Sequence, residues 1–124
     1  MCLIDRVLEC DEQSITCTTN SHRNPDNPLL ENGRLPSIVL VEYASQAAAI
    51  HAAFNRQEFT QGKPAYIGST KNIVLNNRFL HNINEMLTII AGCVLSAQSG
   101  AIYEFEVKCA RLVAKGQINL ILPE

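Results

Sequence analysis

The chain has 124 residues, 47% hydrophobic and 18% charged, with a formal net charge of −2. That length carries one well-covered core but not two, and the balance is ordinary for a compact soluble protein. Acidic and basic residues are interspersed, with no basic patch or charged tail, so nucleic acid is not indicated as a partner.

Cys2 to Cys10 is rich in Leu, Ile and Val and reads as a strand. Ser14 to Thr19 places Ile15, Cys17 and Thr19 on alternate positions, a second strand, with Asp11-Glu12-Gln13 as the turn of a hairpin. Asn20 to Gly33 follows with Pro25, Pro28 and four asparagines. This is a long loop for a small domain, and loops of such length are often functional.

Leu35 to Phe54, LPSIVLVEYASQAAAIHAAF, is apolar almost all the way round. It predicts one helix over about residues 36–55, with Pro36 at its start, where a missing N–H costs nothing. Beyond Ser37 its clearly polar side chains are Glu42, Ser45, Gln46 and His51. A helix apolar on every face is expected to be buried on every face, which takes the Glu42 carboxylate out of water. The segment approaches membrane-spanning length, yet a central acid costs about 2.5–3.5 kcal/mol on insertion scales. A core helix is therefore expected, and no membrane partner.

Phe59 to Pro64 is a polar connection. Ala65 to Phe79 is extended but interrupted, with Ile67, Ile73 and Leu75 as anchors. Met86 to Gln98 is a long apolar strand in which Gly92 suggests a bend. After Ser99-Gly100, Tyr103, Phe105, Val107 and Cys109 alternate with Glu104, Glu106 and Lys108. Gly116 to Leu122 is a last alternating strand, and Pro123 ends it.

Two strands, a long loop, a buried helix and four strands predict an α+β domain spanning 1–124. A curved antiparallel sheet wrapped around the helix is the economical way to cover it. A single sheet leaves free edges, which pairing of two copies would bury. This is the hotdog architecture, with a homodimer as the expected unit.

The five cysteines form no C-x-x-C pair and have no zinc spacing with His22, His51 or His81, so no metal is expected. Their odd number, with no visible secretion signal, reads as free thiols in a reducing, cytoplasmic setting. Cys10 and Cys17 lie across the first hairpin from one another, where a disulfide is the alternative, and buried small hydrophobes are the simpler reading.

Four segments carry a resemblance: MCLIDRVLE, NPLLENGRLPSIVLVEYASQAAAIHAA, AYIGSTKNIVL and YEFEVKCARLVAKGQINLILP. The chain resembles the beta-hydroxyacyl-ACP dehydratases of the hotdog superfamily, in particular the dehydratase-like branch of aryl-polyene-type gene clusters. The specific part is Gly-x-Leu-Pro followed by Glu-x-x-x-x-Gln along a helix. Family members usually carry a short His-containing segment before the Met-x-Leu-x-Asp strand, whereas Met1 falls on that strand here.

The resemblance implies reversible removal of water, of unspecified stereochemistry, from a 3-hydroxyacyl thioester to give a trans-2-enoyl thioester. The chain would ride on the phosphopantetheine of an acyl carrier protein or on CoA, with no other cofactor. That chemistry needs a base for the C2 proton, an acid for the departing hydroxyl and donors for the thioester oxygen. By position Glu42 matches the family's helix carboxylate, Gln46 the glutamine that orients it, and the N–H groups of Ser37 and Ile38 the oxyanion site. The site is expected between subunits.

The family's loop histidine is replaced. Fifteen residues before Glu42 stands Asn27, which cannot act as a base. Two readings follow. Either His22, five residues upstream on the same loop, takes over as catalytic base, or the chain has lost dehydration and binds acyl groups, alone or as partner of an active hotdog subunit. Asn27 is then a substrate-binding donor or a turn former before Pro28. A thioesterase, with Glu42 activating water and Asn27 holding the carbonyl, is a further alternative. Arg34 offers Glu42 a purely structural partner. His51, nine positions after Glu42 and about 180° round the helix, is assigned to packing or a dimer contact. His81 reads as a solvated loop residue. Lys63, Lys71 and Arg78 are candidates for the pantetheine phosphate or an acidic carrier, and individually plain surface charges.

Overall fold

The computed structural model describes residues 2–56 and 66–121. Within them the chain forms β1 (Arg6–Cys10), β2 (Ser14–Thr19), a 3-10 turn (Ser37–Val39) that runs into α1 (Leu40–Arg56), β3 (Tyr66–Leu75), β4 (Leu87–Ser96), β5 (Gly100–Lys108) and β6 (Leu112–Ile121). These strands make one antiparallel sheet in the order β1-β2-β4-β5-β6-β3, wrapped around the helix. This is the hotdog fold that the element order predicts.

Local chemistry explains the strands. Asp11 Oδ1 accepts the N–H groups of Gln13 and Ser14 at 2.8 and 2.9 Å, closing the first hairpin. Those two donors also hold the Asp11 carboxyl below its usual range. On β5, Ala101, Tyr103, Phe105 and Val107 point inward and are buried, while Glu104, Glu106 and Lys108 face solvent. The bend expected at Gly92 lies one step later. The register slips between Cys93 and Leu95 against β5, a bulge that adds twist there.

The helix buries Leu40, Tyr43, Ala44, Ala47, Ala48, His51 and Ala52 against β2, β4, β5 and β6. The alanines let the backbone approach the sheet closely. The side with Glu42 is open: Ile38 is 55% exposed, and Glu42 is exposed with it. The expected burial on every face is thus corrected. One sheet covers one side of a helix, and on the other side, among the described residues, Leu3, Pro28 and Leu29 meet Glu42 and Gln46 around an open pocket.

Ser37–Asn55 is long and apolar enough to cross a membrane by length and composition, with a mean hydropathy of 1.2. More than half of that stretch is buried inside the fold, which is the pattern of a core helix. All five cysteines are free, because Cys10 pairs with Ile15 and Cys17 with Val7 rather than with each other. Burial pushes the Cys17 thiol up to about 11, so it is inert as a nucleophile at neutral pH.

The edge strand β3 packs over a missing side chain. A Cβ on Gly116 would run into Ile73 Cδ1 and stand 3.2 Å from Ile73 Cα and 3.3 Å from Phe105 Cε1. Gly116→Ala is therefore expected to lower unfolding free energy by about 1–3 kcal/mol, the usual cost of overpacking. Urea denaturation checks it, and an unchanged midpoint would show that β3 yields freely.

Candidate active site between the helix and the loop

A pocket of about 300 Å³ lies where the open helix face meets the N-terminal segment and the long loop. Leu3, Pro28, Leu29, Val39, Glu42 and Gln46 line it. Glu42 is the one ionisable side chain among these, set in the first turn of α1. Glu42 and Gln46 share a face, as their four-residue spacing requires. Gln46 Oε1 accepts the Leu3 N–H at 2.7 Å, which braces the N-terminal segment against the helix.

The helix start differs from the expected oxyanion arrangement. Pro36 occupies the N-cap with extended backbone (ψ 141°) and no side-chain cap. The Ser37 N–H donates to the Arg78 carbonyl at 2.9 Å, and the Val39 N–H to the Pro36 carbonyl at 3.1 Å. Ser37 is thus corrected from substrate donor to backbone anchor. The Ile38 N–H takes part in neither bond.

Asn27 is buried, and its amide is fully engaged. Nδ2 donates to the Ser21 carbonyl at 2.9 Å and to the Tyr43 hydroxyl at 3.0 Å, while Oδ1 accepts the Leu29 N–H at 2.9 Å. An amide already making these bonds has no donor left for a thioester. Its substrate-binding role is corrected to holding the loop.

His22 is 2% exposed, on a short 3-10 turn (Ser21–Arg23). Its Nε2–H donates to the Ile83 carbonyl at 3.0 Å, and Nδ1 is buried without a hydrogen bond. Burial pushes its pKa down, partly offset by the carbonyls of Ile83 and Glu85. The ring is not part of the Glu42 pocket lining, so within this protomer His22 is no partner to the carboxylate. In this protomer His22 is a core residue with one ring nitrogen unbonded.

The remaining candidates scatter. His51 is buried, its Nε2–H donating to the Asp11 carbonyl at 2.8 Å and its Nδ1 accepting the Tyr103 hydroxyl at 2.6 Å. It ties the helix to the first hairpin and to β5, the packing role expected of it. Arg34 lies over the Phe79 ring at 4.6 Å, with Arg78 at 5.4 Å from the same ring. His81 is exposed beside Phe79, and Lys71 is exposed on edge strand β3. Lys63 lies outside the described residues. Among the described residues no group of three His, Cys, Asp or Glu has metal-binding geometry.

Sequence reasoning missed Tyr43. Its hydroxyl lies within 2.9 Å of Ser21 Oγ as well as 3.0 Å from Asn27 Nδ2. Burial raises its pKa, so it stays a neutral phenol. The available signal was a phenol beside Glu42 in an otherwise apolar helix, following a loop with four asparagines.

The two buried histidines set a pH dependence. Both have folded-state pKa values below the unfolded value of about 6.5, so the unfolded chain takes up protons first as pH falls. The stability they contribute is present above about pH 6.5 and is lost as pH drops through their depressed folded values. The urea midpoint is therefore expected to be lower at pH 5.5 than at 7.5, and His51→Gln should reduce the difference. Equal midpoints in the wild-type protein would contradict the assignment of both rings as neutral.

Comparison with known proteins places these features. The chain aligns over 98% of its length with a chain of the dehydratase heterocomplex ApeI:P from Xenorhabdus doucetiae, covering 83% of that chain at 18% identity with a TM-score of 0.84. A hypothetical thioesterase with coenzyme A from Streptococcus pneumoniae TIGR4 matches over 95% of this chain and 84% of its own, at 13% identity and a TM-score of 0.67. AziG from S. sahachiroi matches over 94% and 89%, at 18% identity and a TM-score of 0.67. At these identities the likenesses speak for the fold. No curated protein sequence matches the chain. The sequence profile of the ApeP-like family, described as ApeP dehydratase, matches residues 1–124, and the chain belongs to that family.

Proposed function

We propose that this protein is a 3-hydroxyacyl thioester dehydratase subunit whose Glu42 forms half of a site completed by a second hotdog chain. The observation that carries this reading is Glu42 itself, an ionisable group in a pocket otherwise made of Leu3, Pro28, Leu29, Val39 and Gln46. Apolar walls suit an acyl chain, and a carboxylic acid among them can hand a proton to a departing hydroxyl.

In the reaction, a base takes the C2 proton and the C2–H electron pair becomes the C2=C3 double bond. The C3–O bond breaks with its pair, and Glu42 supplies the proton that turns the hydroxyl into water. Charge that builds on the thioester oxygen is met by an N–H donor at the helix start, for which Ile38 is the available group. The base comes from the second chain, because His22, His51 and His81 lie away from the pocket lining. The open side with Ile38 and Glu42 is the surface that chain would cover.

Membership of a dehydratase family supports the reaction class, and the ApeI:P heterocomplex supports a second, different hotdog subunit over a plain homodimer. The coenzyme A held by one structural neighbour supports a thioester substrate on pantetheine, carried by an acyl carrier protein or CoA with no further cofactor. Free cysteines suit a reducing, cytoplasmic setting.

Assayed alone and with a co-expressed hotdog partner on a 3-hydroxyacyl-pantetheine thioester, the wild type is expected to form enoyl product fully only in the pair. Glu42→Gln should cut turnover by about 10²–10⁴-fold with thermal stability unchanged. Release of free thiol without enoyl product points to a thioesterase instead. Enoyl formation that survives Glu42→Gln makes this chain an acyl-binding companion.

A further inference from the structure

We infer that Tyr43 is the positioning residue of the pocket, a phenol from which both non-helical walls are hung; this rests on the Glu42 pocket being where the acyl thioester binds. Tyr43 follows Glu42, so about 100° of helix turn directs it into the core while Glu42 faces the pocket. Asn27 Nδ2 can only donate, so Ser21 Oγ is the acceptor within reach of the Tyr43 hydroxyl proton. Leu3 O accepts from Ser21 Oγ at 2.7 Å and from Thr19 Oγ1. With its proton committed to Leu3, Ser21 Oγ accepts from the Tyr43 hydroxyl at 2.9 Å. The Tyr43 oxygen in turn accepts from Asn27 Nδ2 at 3.0 Å.

Each branch ends at the pocket. One runs from Tyr43 through Ser21 to Leu3, whose N–H is then held by Gln46, so Leu3 is clamped at both its carbonyl and its amide. The other runs through Asn27, whose Oδ1 receives the Leu29 N–H and sets the Asn27-Pro28-Leu29 turn. Leu3, Pro28 and Leu29 are the walls facing Val39, Glu42 and Gln46. The network is buried, and its members face few competing waters: Thr19, Ser21 and Asn27 are at most 4% exposed and Tyr43 is fully covered. A buried network satisfied at every member holds a single arrangement. Asn27 is thereby required as an amide, since an imidazole cannot donate twice and accept once in that place.

The test uses the protein with its hotdog partner. Tyr43→Phe keeps the ring and removes the hydroxyl; Asn27→Asp keeps the acceptor and removes the donor. Both are expected to raise KM for the 3-hydroxyacyl-pantetheine thioester by about five- to tenfold with kcat within about twofold, the split expected when walls move but the acid does not. Hydrogen exchange at the Leu3 and Leu29 amides should speed up in the same variants. Binding of a non-hydrolysable acyl-pantetheine, read by calorimetry, should weaken by the same factor. That readout needs no turnover, so it separates loss of the lock from failure of the dehydratase reading. An unchanged KM and acyl-pantetheine affinity in both variants, or unchanged exchange at Leu3 and Leu29, overturns the proposal. Should Tyr43→Phe fail to fold, Asn27→Asp carries the same outcomes.

Discussion

A six-stranded sheet can wrap only one side of a helix, and α1 is apolar on more than one. The face with Tyr43, Ala44, Ala47 and Ala48 meets the sheet, while Ile38 and Glu42 are left to solvent in the isolated protomer. Covering a large apolar side chain is worth about 1.5–3 kcal/mol, so the uncovered face carries a standing drive toward association. The pocket opens on that same face. Assembly and chemistry are thus posed as one problem, and the carboxylate lies where a second chain would arrive.

The two sides of the helix divide the work. The outward side offers Glu42 and Gln46, polar groups within reach of a ligand. The inward side carries the phenol of Tyr43 and the imidazole of His51, each bonded to groups far away in sequence. Tyr43 holds the loop and the N-terminal segment, and His51 holds the first hairpin and β5. A catalytic acid needs walls that stay put, and here those walls are fastened through the core.

The long loop shows how a polar sequence can be mistaken for a reactive one. His22 and Asn27 have the residue types of a site, and the spacing of Asn27 from Glu42 matches that of the family's base. Tertiary packing turns both inward, one onto the Ile83 carbonyl and the other onto Tyr43. Neither direction is visible in a linear sequence, because loop side chains have no periodicity to report which way they face. Ser37 is similar: its backbone N–H is spent on Arg78, 41 residues on, which no local pattern announces.

The sequence by itself determined the element order, the alternating strands, the apolar helix, the Glu42–Gln46 face and the membership they spell out. All of these follow from periodicities of two and 3.6 and from a motif on one helix. Only the tertiary structure decided that the helix has an uncovered side, that the polar loop residues are scaffolding, and that Tyr43 links Leu3 to Asn27. Those outcomes depend on which groups meet across long sequence separations and on how far one sheet can reach around a helix. Patterns along a chain encode local faces; satisfaction of buried donors and acceptors is settled only when distant segments close on one another.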